Sequence, residues 1–163
     1  MLFRSLSPLA PYIGIPVNRE VFVCPSDTLN RRDPGIRYLF SYSTNYLITR
    51  LPPSFNAYPG DHSNSLRITE IVNSSEKILM IDETAETVDD GCWAWMLRLG
   101  DGQNIISNRH MKREEQRQFL DKPEGGKGNA LFADFHAEYI ERKKSYQPAN
   151  YDPKAYGNPP GTI

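Results

Sequence analysis

Arg109-His110 and Asp134-Phe135-His136 hold two of the chain's three histidines and the residue types best suited to chemistry. Asp134 and His136 are two positions apart, so on a strand they point to one face. With His110 on a neighbouring strand, two imidazoles and a carboxylate would converge. Asp82-Glu83, closing the run Lys77 to Asp82, would then add oxygen ligands. Such a set suits zinc, iron or manganese, whereas calcium would lean on the carboxylates and on backbone carbonyls. The expected cofactor is one divalent ion, zinc or calcium, held by His110, Asp134, His136, Asp82 and Glu83. A plainer use of the same residues stands beside this one. Asp134 caps a turn, His110 and Arg109 pair with Asp82 or Glu83 as buried polar ties, and His136 is half exposed.

Catalytic signatures are otherwise sparse. The chain has no His-Glu-x-x-His, no Gly-x-Ser-x-Gly turn and no phosphate-binding Gly-x-x-x-x-Gly-Lys-Ser/Thr loop. Gly125-Gly126-Lys127-Gly128 precedes a strand pattern, not a helix, and reads as a linker. No residue is assigned a catalytic role. A small metal-dependent hydrolase using His110, Asp134 and His136 is the enzymatic alternative.

The elements that must position these groups are mostly strands. Gly128 to Ile140 alternates apolar and polar residues, breaks at Asp134-Phe135 and alternates again, the pattern of a β-hairpin. Lys77 to Asp82 is apolar on both faces and reads as a central strand. Glu20 to Cys24 and Cys92 to Leu99 read as further strands, Arg37 to Arg50 as one long strand or a strand pair, and Arg67 to Ile71 as a short alternating stretch. Ser7-Pro8 opens a short helix through Ile13. Met111 to Lys122 is rich in helix formers and poor in apolar residues, so it reads as an exposed helical insertion. The tail after Ser145 carries prolines without periodicity and reads as extended, disordered or wrapped on the domain or a neighbour. The fold class is α+β, one domain over residues 1–145 on an antiparallel sheet, with a Pro/Tyr-rich tail over 146–163.

Composition narrows the partners. Lys and Arg number 19 against 20 Asp and Glu in 163 residues, so no overall field draws the chain to nucleic acid or an anionic membrane. No apolar run reaches the roughly 18 residues of a membrane span. Met1 to Leu6 lacks the apolar block of an export signal, which reads as a soluble chain, cytoplasmic if complete. Cys24 and Cys92 fit neither zinc spacing nor a redox pair, and both a disulfide and two free thiols stay open. Trp93 and Trp95 share one strand face, either as core or as an exposed platform for a glycan or protein ligand. Tyr146, Tyr151 and Tyr156 in the tail could serve a partner surface.

A series of short motifs carries a family resemblance. They are Leu9 to Ile13, Val21-Phe22-Val23-Cys24-Pro25-Ser26-Asp27, Ser41-Tyr42-Ser43-Thr44-Asn45-Tyr46, Ile71 to Glu83, Asn108-Arg109-His110 and Gly128 to Ile140. In this order the chain resembles the globular head of a prepilin-like family. Its members begin with a type IV prepilin cleavage/methylation helix and end in a His-(nine residues)-Asp-Gly motif. The resemblance implies a non-enzymatic structural or interaction domain outside the cell or at its surface. Such a domain is a filament subunit or adaptor whose partners are other copies or other pilin-like subunits. Three departures stand out, the first being that the N-terminal prepilin helix is missing from this sequence. His110 and Asp134 are separated by 23 residues, and Phe135 replaces the family glycine. A two-residue Asp-Gly turn needs positive φ at both positions, which costs a phenylalanine about 1 kcal/mol or more, so a different turn is expected.

Overall fold

A computed structural model describes residues 18–27, 38–49, 66–93, 104–119 and 125–157. The expected helix at Ser7–Ile13, His62 and Trp95 lie outside the described residues. The framework is one five-stranded sheet in the order β3-β1-β2-β4-β5. The strands are β1 (Tyr42–Asn45), β2 (Ile78–Asp82), β3 (Cys92–Trp93), β4 (Lys127–Phe132) and β5 (Ala137–Glu141). Pairing is antiparallel for β1–β2, β2–β4 and β4–β5, and parallel for the short β1–β3 contact. With its few short helices this is the expected α+β domain.

Lys77 to Asp82 supplies the central strand, and its side chains pack on both faces. The β2–β4 register slips at Leu79, between the pairs Ile78–Phe132 and Met80–Leu131. Such a bulge adds one residue and shifts the alternation. Ile78 and Ile81, three apart, therefore join one core with Trp93, Ile106, Ala130, Phe132 and Ile140. Leu79 packs against a second cluster of Ile48, Ile71 and Ala133.

Polar side chains overrule β-propensity at three places. Glu20 to Cys24 is not a strand: residues Arg19–Phe22 form a 3-10 turn, because Asn18 Oδ1 accepts the Glu20 N–H at 2.9 Å and caps it. Of the one long strand or strand pair expected from Arg37 to Arg50, the described residues form β1, which stops at Asn45. There Oδ1 accepts the Leu47 N–H at 2.9 Å and starts the single turn α1 (Tyr46–Thr49). Ile68–Glu70 is likewise a 3-10 turn, closed by Glu70 accepting the Arg67 N–H. The charged insertion does form an exposed helix, α2 (Arg113–Arg117).

The tail wraps the domain as far as it is described. After α3 (Arg142–Ser145), a proline starts α4 (Pro148–Tyr151). The following residues cross the start of β2. Buried Lys77 donates from Nζ to the carbonyls of Ala149 and Ala155, Asn45 Nδ2 donates to Tyr151 O at 2.9 Å, and the Val72 N–H donates to Pro153 O at 3.0 Å. Tyr151 packs on the main core, so of the three tail tyrosines Tyr156 is the strongly exposed one, at 80%.

The β4–β5 hairpin turns through Ala133-Asp134-Phe135, closed by Phe135 N–H to Phe132 C=O at 2.9 Å. The turn is of another type than Asp-Gly, as expected. Phe135 nevertheless takes the left-handed conformation, at φ 71°, with its ring 67% exposed.

Candidate functional site

The site forms where the C-terminal end of β2 meets two loops. One is the turn Cys24-Pro25-Ser26-Asp27, held by Cys24 N–H to Ser41 Oγ at 2.9 Å and Ser41 Oγ–H to Asp27 Oδ2 at 2.6 Å. The other runs from Asn104 to His110 and docks on β2 through Ser107 N–H to Asp82 C=O at 2.7 Å and Thr84 N–H to Ile105 C=O at 2.9 Å. Gly128 lets this loop lie against β4. A Cβ there would meet Ser107 O at 2.1 Å and Ile106 Cγ2 at 2.2 Å.

Arg109 is the centre of charge. Its Nη1 lies 2.9 Å from Asp27 Oδ2 and 3.4 Å from Asp82 Oδ1. Its Nη2 donates to the Glu83 carbonyl, and its Nε donates to Ser107 Oγ at 2.6 Å. The guanidinium fork thus ties three chain segments, and both carboxylates it meets are shielded from water, each 1% exposed. A polar depression of about 230 Å³ opens beside it, lined by Asp27, Thr84, Glu86, Asn108, Arg109 and Gln116.

His110 is set one residue further along. Its Nε2 lies 3.1 Å from Asp82 Oδ2 and 3.3 Å from Cys24 Sγ. Asp82 therefore splits its carboxylate, Oδ1 toward Arg109 and Oδ2 toward His110. Burial pushes the Asp82 pKa up, against the opposing pull of Arg109 and His110. Cys24, Asp82 and His110 do not form a nucleophile–base–carboxylate relay. A relay uses both ring nitrogens, one for the thiol and one for the acid. Here one nitrogen meets both.

Glu83 turns away into its own polar cluster. Ser43 Oγ–H donates to Oε2, while Thr87 Oγ1 and Asn104 Nδ2 each donate to Oε1 at 2.8 Å. Its side chain is fully buried, and that burial outweighs the three hydrogen bonds, raising the pKa to about 7.

The five expected metal ligands thus fall into three places. His110 and Asp82 meet, Glu83 is engaged elsewhere, and Asp134 and His136 pair with each other at the hairpin tip. His136 Nδ1 lies 2.6 Å from Asp134 Oδ1, and that hydrogen bond holds the Asp134 carboxyl below its usual range. The reason for the separation is register. Ala133 pairs beside Lys77 through its N–H to Lys77 C=O at 2.8 Å, five residues before Asp82. At about 3.3 Å per strand residue, the tip and the Asp82 end stand roughly 16 Å apart. Asp134 and His136 do meet, but within the turn between β4 and β5, where Phe135 is left-handed, and not by strand alternation; the tip stands at the wrong end of β2 for His110.

Two residues of the cluster were not among the expected ligands, Cys24 and Asp27. Their signal was the Cys-Pro-Ser-Asp turn, which marks a loop but says nothing of where it docks. Trp93 is fully buried, which removes it as an exposed platform. Both cysteines are free. Cys92 is half buried, and burial first, then Asp90, Asp89 and Glu83, push its thiol up to about 11.

No family model matches the chain, nor does any curated protein or solved structure.

Proposed function

We propose that this is a non-enzymatic structural or interaction domain, used as the head of a prepilin-like filament subunit or surface adaptor, and that it associates with further subunits by strand addition. The observation that carries this reading is the outer edge of β5. Gly126 and β4 take the inward bonds: the Phe132 N–H donates to His136 C=O at 2.9 Å and the Arg142 N–H to Gly126 C=O at 3.0 Å. Antiparallel alternation then turns the peptide groups of Ala137, Tyr139 and Glu141 outward. Among the described residues, no strand pairs with that edge. Tyr139 is 43% exposed on it, and Phe135 stands exposed at its start. An unpaired edge of this kind is a ready template for another chain's strand. Glu138, Glu141 and Lys143 beside it would set which neighbour fits, since surface charges select partners more than they add affinity.

Tyr139→Pro tests the edge cleanly, because proline there removes an outward N–H and no β4 bond. Sedimentation velocity over a concentration series should show association for the parent chain and a monomer for the variant, at equal thermal stability. Equal association of both would remove the edge from the account.

A further inference from the structure

We propose that Cys24, Asp82 and His110 form a binding site for one zinc-class divalent ion. This inference stands independently of the β5 edge. Sγ, the Asp82 carboxylate and His110 nitrogen lie within 4.8 Å of one another, and they come from three segments far apart in sequence. They converge on one side of a single ring nitrogen: Oδ2 lies 3.1 Å and Sγ 3.3 Å from Nε2. A tetrahedral zinc ion with bonds of about 2.0 to 2.3 Å spaces its ligands about 3.4 Å apart for N and O, and about 3.6 Å for N and S. Both separations from Nε2 lie about 0.3 Å inside those edges, and Sγ and the carboxylate lie within 4.8 Å of each other, so an outward adjustment of the side chains about Nε2 would admit the ion.

The donor chemistry selects the metal. A thiolate, an imidazole and one carboxylate oxygen are zinc ligands, whereas calcium takes six to eight oxygens. The zinc-or-calcium expectation therefore narrows to zinc. Charge points the same way. Without an ion, Asp27 and Asp82 set two shielded carboxylates against the Arg109 guanidinium, with the partly exposed His110 imidazole as the other group facing Asp82. A divalent cation bound by the Cys24 thiolate and the Asp82 carboxylate is locally neutral, and Arg109 then balances Asp27. Binding would release the Cys24 thiol proton to solvent. Arg109 would keep the role of a group that orients the ligating carboxylate through its second oxygen. His110, with its side chain 31% exposed, stands at the open side, where water would complete the shell.

Cobalt is the probe, because a thiolate ligand gives it a near-ultraviolet charge-transfer band. The full chain, stripped with a chelator, should develop that band to saturation at one equivalent of Co²⁺ and lose it on adding Zn²⁺. Cys24→Ser should abolish the band, and Cys92→Ser should leave it intact. His110→Ala, a change at the exposed side that spares the core, should weaken binding by more than about 100-fold, beyond the usual effect of losing an outer-shell group. His136→Ala should bind like the parent. The proposal is overturned if the parent shows no band and no zinc-dependent rise in Tm. Persistence of the band in folded Cys24→Ser, or its loss in His136→Ala, would overturn it equally.

Discussion

Among the described residues are two histidine–aspartate pairs, and they differ in almost everything but their atoms. At the hairpin tip, Asp134 and His136 meet within the turn between β4 and β5 and sit in water, their side chains 35% and 42% exposed. At the far end of β2, His110 meets an Asp82 side chain that is 1% exposed, backed by the neighbouring Arg109 and by Asp27 and Cys24 from a distant turn. The tip pair is shorter, at 2.6 Å against 3.1 Å, yet solvent screens it. Proximity alone is a poor guide. What gives the inner pair its consequence is that its partners cannot fall back on water.

Arg109 offers the sharpest way to break this contrast. Arg109→Ala strands Asp27 and Asp82 in a shielded site, and the loss of a buried partner of this kind costs about 3 to 5 kcal/mol. Urea unfolding should show that loss. Arg109→Lys should recover only part of it, because an ammonium cannot span Asp27, Asp82 and the Glu83 carbonyl as the fork does.

Glu83 should give the next largest effect, through pH. Its folded pKa, about 7, lies above the ordinary value of 4.5, so the folded state prefers the protonated form. Its contribution is fully present below about pH 4.5 and is lost as pH rises through about 7. The shift corresponds to about 3 kcal/mol. Glu83→Gln should flatten the stability profile between pH 5 and 8, which urea midpoints across that range would register. An unchanged slope would place the titration elsewhere.

Phe135 should give a smaller effect, of opposite sign. At φ 71° a phenylalanine is strained, whereas asparagine visits that region readily. Phe135→Asn should raise stability by up to about 1 kcal/mol, read as a higher Tm. The same change removes an exposed ring from the β5 edge, so it should weaken association if that ring takes part.

The sheet was largely legible in the sequence because its signals are local. The central run Lys77–Asp82, the Gly128–Ile140 hairpin and the exposed helix after Met111 each follow from periodicity or propensity within about a dozen residues. The misses at Glu20–Cys24 and after Asn45 share a cause. Asparagine caps at Asn18 and Asn45 overrode runs of β-favouring residues. The candidate site was half legible. Arg109, His110 and Asp82 were expected to pair as buried ties; they do pair, with His110 left partly exposed. Cys24 and Asp27 were out of reach, because their place depends on how a turn some 55 residues before β2 docks on its end, which no local pattern encodes. Splitting Asp134 and His136 from His110 likewise depended on strand register, a long-range property.

The most direct test sets the two histidines against each other. Tm is measured for the parent, His110→Ala and His136→Ala, each with and without saturating zinc. A zinc-dependent rise is expected for the parent and His136→Ala and none for His110→Ala. A rise that survives in His110→Ala but vanishes in His136→Ala would contradict it, and would move the chemistry back to the hairpin tip.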